Sequence, residues 1–342
     1  MKRMLTLALS LLLVMTVLSF AAVADSPAKL KVGVLTMLNI SEDDYVTFIV
    51  NRLAANPMLV EGGYVEANDK GDPNVTPVVV YYDTLDAMLM GLNAGDIDAM
   101  EVYQSVGDYL TSENDRLTMI GRANKKKSRS PFAEIVMGLL STNDFSFLML
   151  QSRQELKEEF DKAIVSMKED GTLDKLVETQ INSKVNGEDI SPVAIEKIPG
   201  ADTIKVAITG SLPPFDYVAA DGTPAGFNTA VLSEISKRIG KNIELVQVDS
   251  IGRATALASG TVDAAFWTRT NQFDIEYQAK NEAEKEKERA EVSATATDIE
   301  NAFVDRILQK MGVPVSEIDK PEDTIISKSY FSDTIVTVML KK

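Results

Sequence analysis

The chain has 342 residues, 25% of them charged and 45% hydrophobic, which suits a folded protein of about two domains. Its formal net charge is −16, so nucleic acid and anionic lipid are disfavoured as partners. It contains no Cys and no His. That excludes disulfides, thiolate metal sites, a lipid-bearing cysteine, zinc sites of the usual type and Ser-His-Asp catalysis. No metal, no cofactor and no enzymatic activity are expected.

In chain order, Lys2 and Arg3 precede an apolar run from Leu5 to Phe20, and Ala22-Val23-Ala24 follows as a small-residue cleavage pattern. Residues 1–24 therefore read as a signal peptide, with a mature periplasmic chain beginning at Asp25. KLKVGVLTML (29–38) reads as a buried parallel-type strand. VVVYYDTLDAMLMGLNAGDIDAMEV (78–102) reads as strand, helix, G-x-x-D turn and strand. The basic run RANKKKSR (122–129) reads as a surface loop before SRSPFAEIVMGLL (128–140). ELKEEFDKAIVSMKEDG (155–171) is an amphipathic helix: Leu156, Phe160, Ile164 and Met167 share a face, and Gly171 ends it.

The segment 187–202 carries Gly, Pro and charge, as a linker does. TIKVAITGSL (203–212) is a second strand, followed by the loop GSLPPFDYVAADGTPAGF (210–227). A helix over 227–240 has Val231, Ile235 and Ile239 at helical spacing and stops at Gly240. ELVQVDSIGRATALASGTVDAAFW (244–267) repeats the strand–helix–G-x-x-D–strand pattern. Residues 276–291 mix acids and bases without an apolar stripe and read as a solvated helix or insertion. SKSYFSDTIVTVML (327–340) is a final apolar strand, parallel in pattern to 128–140.

Three signals thus recur in the same order, which predicts an internal duplication. The expected organisation is one α/β domain over 29–186, the linker 187–202, and a second over 203–342, each with a mostly parallel sheet covered on both faces. Aligning the two G-x-x-D turns sets Asp98 against Asp263 and Gln104 against Arg269. Both aspartates are expected to hold turns rather than ligand.

GSLPPFDYVAADGTPAGFNTAVLSEISKRIG resembles the opening of the extracellular solute-binding proteins of family 3, the amino-acid-binding component of ABC importers. LASGTVDAAFWTRT (257–270) resembles the next signature of that family, and SYFSDTIVTVMLKK its hinge segment. ELKEEFDKAIVSMKEDGTLDKLVE resembles the helices that close a family member. The resemblance implies a periplasmic-binding-protein-like α/β fold, here as an atypical tandem form, since a usual member inserts one lobe within the other. It implies capture of a small polar organic solute, an amino acid or similar, for an ABC permease. A ligand-sensing or scaffold module that kept the fold without transport is the other reading.

The candidate ligand residues follow. Phe215 and Tyr217 stand on a loop stiffened by two prolines, where rings can pack on a ligand with little entropy left to lose. Substitution of Phe215 is expected to weaken binding with little change in fold. By the resemblance, Arg269 would grip a ligand carboxylate through two charge-assisted hydrogen bonds, with Thr268 and Thr270 as hydroxyl donors and Trp267 beside them. Glu101 and Tyr103 are what the first domain offers in place of that arginine.

Overall fold

The computed structural model describes residues 27–35, 56, 58–71, 73–120, 142–188, 190, 192–249, 252–270 and 323–342. The signal-peptide segment, the basic run at 122–129, the strand expected over 128–140 and the charged segment 276–291 lie outside the described residues.

The first strand, β1 (Ala28–Leu35), buries Leu30, Val32, Val34 and Leu35. A single helical turn, α1 (Met58–Glu61), precedes β2 (Val75–Tyr82). Helix α2 (Leu85–Ala94) begins where the Thr84 hydroxyl accepts the Ala87 N–H and ends at Gly95, whose φ of 79° needs glycine. The wholly buried β3 (Ala99–Tyr103) then runs beside β1. Helix α3 (Gln104–Glu113) and β4 (Leu117–Ile120) follow.

After β5 (Thr142–Leu150) comes α4 (Gln154–Glu169), which buries Leu156, Phe160, Ile164 and Met167 as the spacing predicts. Gly171, at φ 76°, turns the chain into α5 (Thr172–Leu176). A π-helical turn, Val177–Asn182, leads into α6 (Ser183–Val185).

The second half repeats the pattern. It contains β6 (Thr203–Ile208), a small meander of β7 (Ser211–Leu212), β8 (Asp216–Val218) and β9 (Pro224–Ala225), and α7 (Phe227–Ile239). Then come β10 (Asn242–Gln247), α8 (Gly252–Ala258), β11 (Ala264–Thr270), β12 (Thr324–Ile326) and the long β13 (Phe331–Leu340).

These strands build a ten-stranded sheet in the order β10-β6-β11-β5-β13-β3-β1-β2, with β12 on β5 and β4 on β13. The flanks β2-β1-β3 and β10-β6-β11 are parallel. The two strands between them, β5 and β13, are antiparallel to their neighbours. The architecture is α/β, with two parallel flanks joined through an antiparallel centre.

The expected division into two self-contained halves needs correction. Strand β5 comes from the first half of the chain but pairs with β11 and β12 of the second. Strand β13 comes from the second half but pairs with β3 and β4 of the first. The lobes are therefore β1–β4 with β13, and β5–β12. Helices follow the same rule: α4 and α5 pack on α7. Arg238 fixes them, donating to Ser166 Oγ at 2.5 Å, Asp170 Oδ2 at 2.8 Å and Thr172 Oγ1 at 3.0 Å. The segment 192–200 has no regular structure but is held to the second lobe, with the Ile198 N–H donating to Asn242 Oδ1 at 2.7 Å and the Asn242 amide to Ile198 O at 3.0 Å. Periodicity in a sequence reports repeated units, but it does not report with which unit a terminal strand pairs.

Candidate functional site

The C-terminal ends of β3 and β11 approach each other across β5 and β13. Directly paired residues of antiparallel strands share a face of the sheet. The register Phe331↔Phe145, Asp333↔Asn143, Ile335↔Tyr103 and Thr337↔Glu101 therefore lines one face, and Thr268↔Phe145 extends it onto β11. Apolar rings and polar groups alternate along this face: Phe145, Phe331 and Phe266 beside Asn143, Asp333, Tyr103, Thr268, Glu101 and Thr337.

Tyr103 sits at the centre. It is 1% exposed, and its ring packs 4.8 Å from that of Phe145 and edge-on, at 5.8 Å, to that of Phe215. Its hydroxyl makes no hydrogen bond of regular geometry, although Asn143 and Thr268 stand close enough to act on it. Burial pushes this phenol well above the usual range, against a smaller opposing influence of Thr268 and Asn143, which stand beside it. Asn143 is fully buried, and neither its amide oxygen nor its nitrogen has a partner. Buried polar groups left unpaired cost about 1–3 kcal/mol each, so several at one place mark a site with a purpose beyond packing.

Two carboxyls border this group. Glu101 is 1% exposed and accepts the Thr337 hydroxyl at 2.5 Å. Asp333 accepts the Ser105 N–H, in the first turn of α3, at 3.0 Å and the Thr334 N–H at 2.8 Å. Burial raises the Asp333 carboxyl to about 6, with these hydrogen bonds opposing the rise and the charge of Asp108 adding to it.

The Pro-Pro-Phe loop closes over the second-lobe side. Gly226 makes this possible. Its φ is 100°, and a Cβ there would stand 2.6 Å from Phe215 O and 2.8 Å from Pro214 O. Below the loop, the fully buried Asp216 accepts the Thr209 hydroxyl and the Gly210 N–H, both at 2.6 Å, and the Asn228 amide at 3.3 Å. Burial raises this carboxyl, and the three hydrogen bonds oppose the rise. Asn228 is held in turn by the Tyr330 hydroxyl at 2.8 Å.

Phe215 is therefore a wall rather than an exposed platform. It is 0% exposed, with ring centroids 4.7 Å from Phe145, 5.7 Å from Phe331 and 6.5 Å from Phe227. Tyr217 is half-buried on β8, and the Lys184 ammonium lies 5.6 Å from its ring and 5.6 Å from that of Tyr109. This cation sits between a ring of each lobe.

Tyr103 and Thr268 are brought together, with Phe215 against the Tyr103 ring. Glu101 lies on the same face but is engaged by Thr337. Trp267 is turned away, because strand alternation puts it on the opposite face, packed with Leu148, Ala207, Leu257 and Ala265. There the Arg253 guanidinium lies 5.0 Å from its ring and donates to Phe266 O at 2.8 Å. Arg269 and Thr270 pair through β11 with Asp144 and Asn143; their side chains lie outside the described residues.

Asn143 and Asp333 were not among the residues singled out in the sequence. Their signal was there: each is a polar residue at the entrance to an otherwise apolar strand, in TNDFSFLML and FSDTIVTVML. Asp98 and Asp263 hold turns as expected, accepting the N–H of Lys31 at 2.7 Å and of Lys205 at 2.9 Å. A separate cavity of about 270 Å³, lined by Leu150, Arg153, Gly260, Val262 and Asp263, lies at the other end of β11, beside the Arg153–Asp263 ion pair. Among the described residues, no group of Asp and Glu is arranged to hold a metal ion.

No curated protein matches the chain. Among solved structures, the ligand-binding component of an ABC-type import system from Staphylococcus aureus, with zinc bound, is similar at 9% identity and a TM-score of 0.36, over 92% of this chain and 66% of that one. The chain thus spans just under two thirds of that protein's length. The GluR0 ligand-binding core in complex with L-glutamate is similar at 9% identity and a TM-score of 0.34, over 93% of this chain and 86% of that one. CbnR, a LysR family transcriptional regulator, is similar at 11% identity and a TM-score of 0.36, over 95% and 67%. The model of the bacterial extracellular solute-binding proteins, family 3, matches residues 204–282, from β6 through the Pro-Pro-Phe loop and past the end of β11. That stretch, which carries the second-lobe wall of the candidate site, is similar to the family, and it is less than a quarter of the chain.

Proposed function

We propose that the protein captures a small polar organic solute between its two lobes and delivers it to an ABC permease. The observation that carries this reading is the buried pair of unmet polar side chains, Tyr103 and Asn143, where the two parallel flanks face each other. A ligand entering there would meet hydrogen-bonding groups whose desolvation is already complete, and rings of Phe145 and Phe215 would exclude water around it. Strands β5 and β13 connect the lobes, so opening and closing about them would admit and hold the solute. Thr268 and Tyr103 are its contacts from opposite lobes. Arg269 and Thr270, at the end of β11, and Tyr217, near the rim, are the residues that would complete the enclosure. Trp267 supports β11 from behind.

Lys2, Arg3 and the apolar run to Phe20 support export through a cleaved signal peptide, with the mature chain acting in the periplasm. The net charge of −16 supports a partner other than nucleic acid. A thermal-shift screen of the mature chain against amino acids, small amides, polyols and organic acids tests the reading. A ligand at 100 times its Kd stabilises the folded chain by about 2.7 kcal/mol. A clear upward shift with one solute class is the expected result, and none with any class would overturn it.

A further inference from the structure

The helical segment from Thr172 to Val185 touches both lobes. It begins as α5, which packs on α7 of the second lobe, and its last turn, α6, packs on α3 of the first. The π-helical turn Val177–Asn182 lies between these two contacts and also rests on α7. Wide turns of this kind within a helical run are frequent at functional positions. Lys184, on α6, is half-buried, and its ammonium lies 5.6 Å from the Tyr109 ring and 5.6 Å from the Tyr217 ring. Both distances are within reach of a cation–π attraction, which extends to about 6 Å. Tyr109 stands on α3, which packs on β4 and β13 of the first lobe, and Tyr217 on β8 of the second.

The two ring contacts differ in what happens when the lobes part. Lys184 is carried by a helical segment whose earlier turns are seated on α7, and Tyr217 belongs to the same lobe, so their contact travels with it. The contact with Tyr109 crosses the seam and must break. Burial raises the Tyr109 phenol, and the charges of Glu113, on α3, and Asp86, on α2, add to the rise. The first lobe is therefore acidic where it receives the ammonium, which draws the cation in addition to the face of the ring. We propose that Lys184 is a positioning residue, a latch of the second lobe that Tyr217 orients and Tyr109 receives, and that it holds the lobes together over the candidate site. This goes beyond the solute-binding reading and does not depend on which solute is bound.

The test reads lobe separation directly, with no solute added. The chain has no cysteine, so Ser112→Cys and Ala220→Cys provide the only two sites for spin labels. Each position is exposed and lies three residues beyond a latch ring. Pulsed dipolar spectroscopy of the labelled mature chain should show mainly a short-distance population. Lys184→Met, which keeps the length and removes the charge, should lower the ratio of short-distance to long-distance populations about tenfold. Tyr109→Leu should act in the same direction, and Lys184→Arg, which keeps the cation, should preserve the short distance. A role confined to packing the helix end would instead lower Tm in Lys184→Met and leave the distances alone. Distances unchanged in Lys184→Met would overturn the inference, as would a long-distance population as large in Lys184→Arg as in Lys184→Met. Because no solute takes part, a failed latch leaves the solute-binding reading to the thermal screen, and a screen without a stabiliser leaves the latch to these distances.

Discussion

The two lobes are built to one plan and finished differently. In each, a parallel β-α-β unit ends in a G-x-x-D turn whose aspartate ties back to the first strand, Asp98 to Lys31 and Asp263 to Lys205. In each, an antiparallel strand from the other half of the chain is inserted beside the third strand. The difference lies at the strand tops. The second lobe satisfies its buried Asp216 with three donors and caps it with the Pro-Pro-Phe loop. The first lobe ends in Tyr103, buried with its hydroxyl unmet. One lobe thus supplies a finished, rigid wall, and the other supplies hydrogen-bonding capacity still to be used. A completed network fixes geometry; an incomplete one is where a ligand gains the most.

Phe215 offers the largest perturbation. Its ring contacts first-lobe Tyr103 and both crossing-strand rings, Phe145 and Phe331. Phe215→Ala should destabilise the protein by about 3–5 kcal/mol, more than the mild change in fold expected from the sequence, because the ring is core at the seam. If the lobes are one cooperative unit there, thermal unfolding of the variant stays a single transition at lower temperature. Two resolved transitions, with only one displaced, would break the shared-seam picture.

Asp333 sharpens the comparison on the first-lobe side. Its folded-state carboxyl, at about 6, lies above the ordinary value of 3.8. Between roughly pH 4 and pH 6 the folded chain therefore holds more protons than the unfolded chain, and stability falls as pH rises through that window. Two pKa units correspond to about 3 kcal/mol. Denaturant titrations across this range should show the fall in the native sequence and a flatter profile in Asp333→Asn. Equal slopes in both would assign the effect elsewhere.

The two turn aspartates provide the smallest and most symmetrical test. Asp98→Ala and Asp263→Ala should each cost about 1 kcal/mol, Asp263 somewhat more because it also pairs with Arg153. A large cost at one and none at the other, in equilibrium unfolding, would show that the repeated turn does not do the same work in the two lobes.

Much of this was legible in the sequence. The helices at 155–171 and 227–240 follow from apolar spacing and a terminal glycine, and Gly171 and Gly240 do adopt positive φ. The duplicated turns were visible because two short motifs sit at equal spacing from a strand. Strand exchange was not visible. β13 reads as an ordinary apolar strand and β5 was not marked out at all; their partners lie more than 100 residues away, where only the three-dimensional register decides. The same limit explains the order of segments. Helices α4 and α5, which resemble the family's closing helices, precede the stretch that resembles its opening, yet pack on α7 within it. At the site, Tyr103 could be found because it ends a strand, and Thr268 because it lies two residues before the end of one. Trp267 and Thr268 are chain neighbours that alternation sends to opposite faces, and Asn143 becomes notable only once both its polar atoms are known to be buried and unmet.

The central claim is that one ligand is held between two lobes that share one sheet. Calorimetric titration of the mature chain with the strongest stabiliser from the thermal screen tests it most directly, through the stoichiometry read alongside the Tyr103→Phe variant. The account predicts one ligand per chain, with affinity reduced about tenfold by Tyr103→Phe. Two ligands per chain, one for each half, or a single site indifferent to Tyr103, would contradict it.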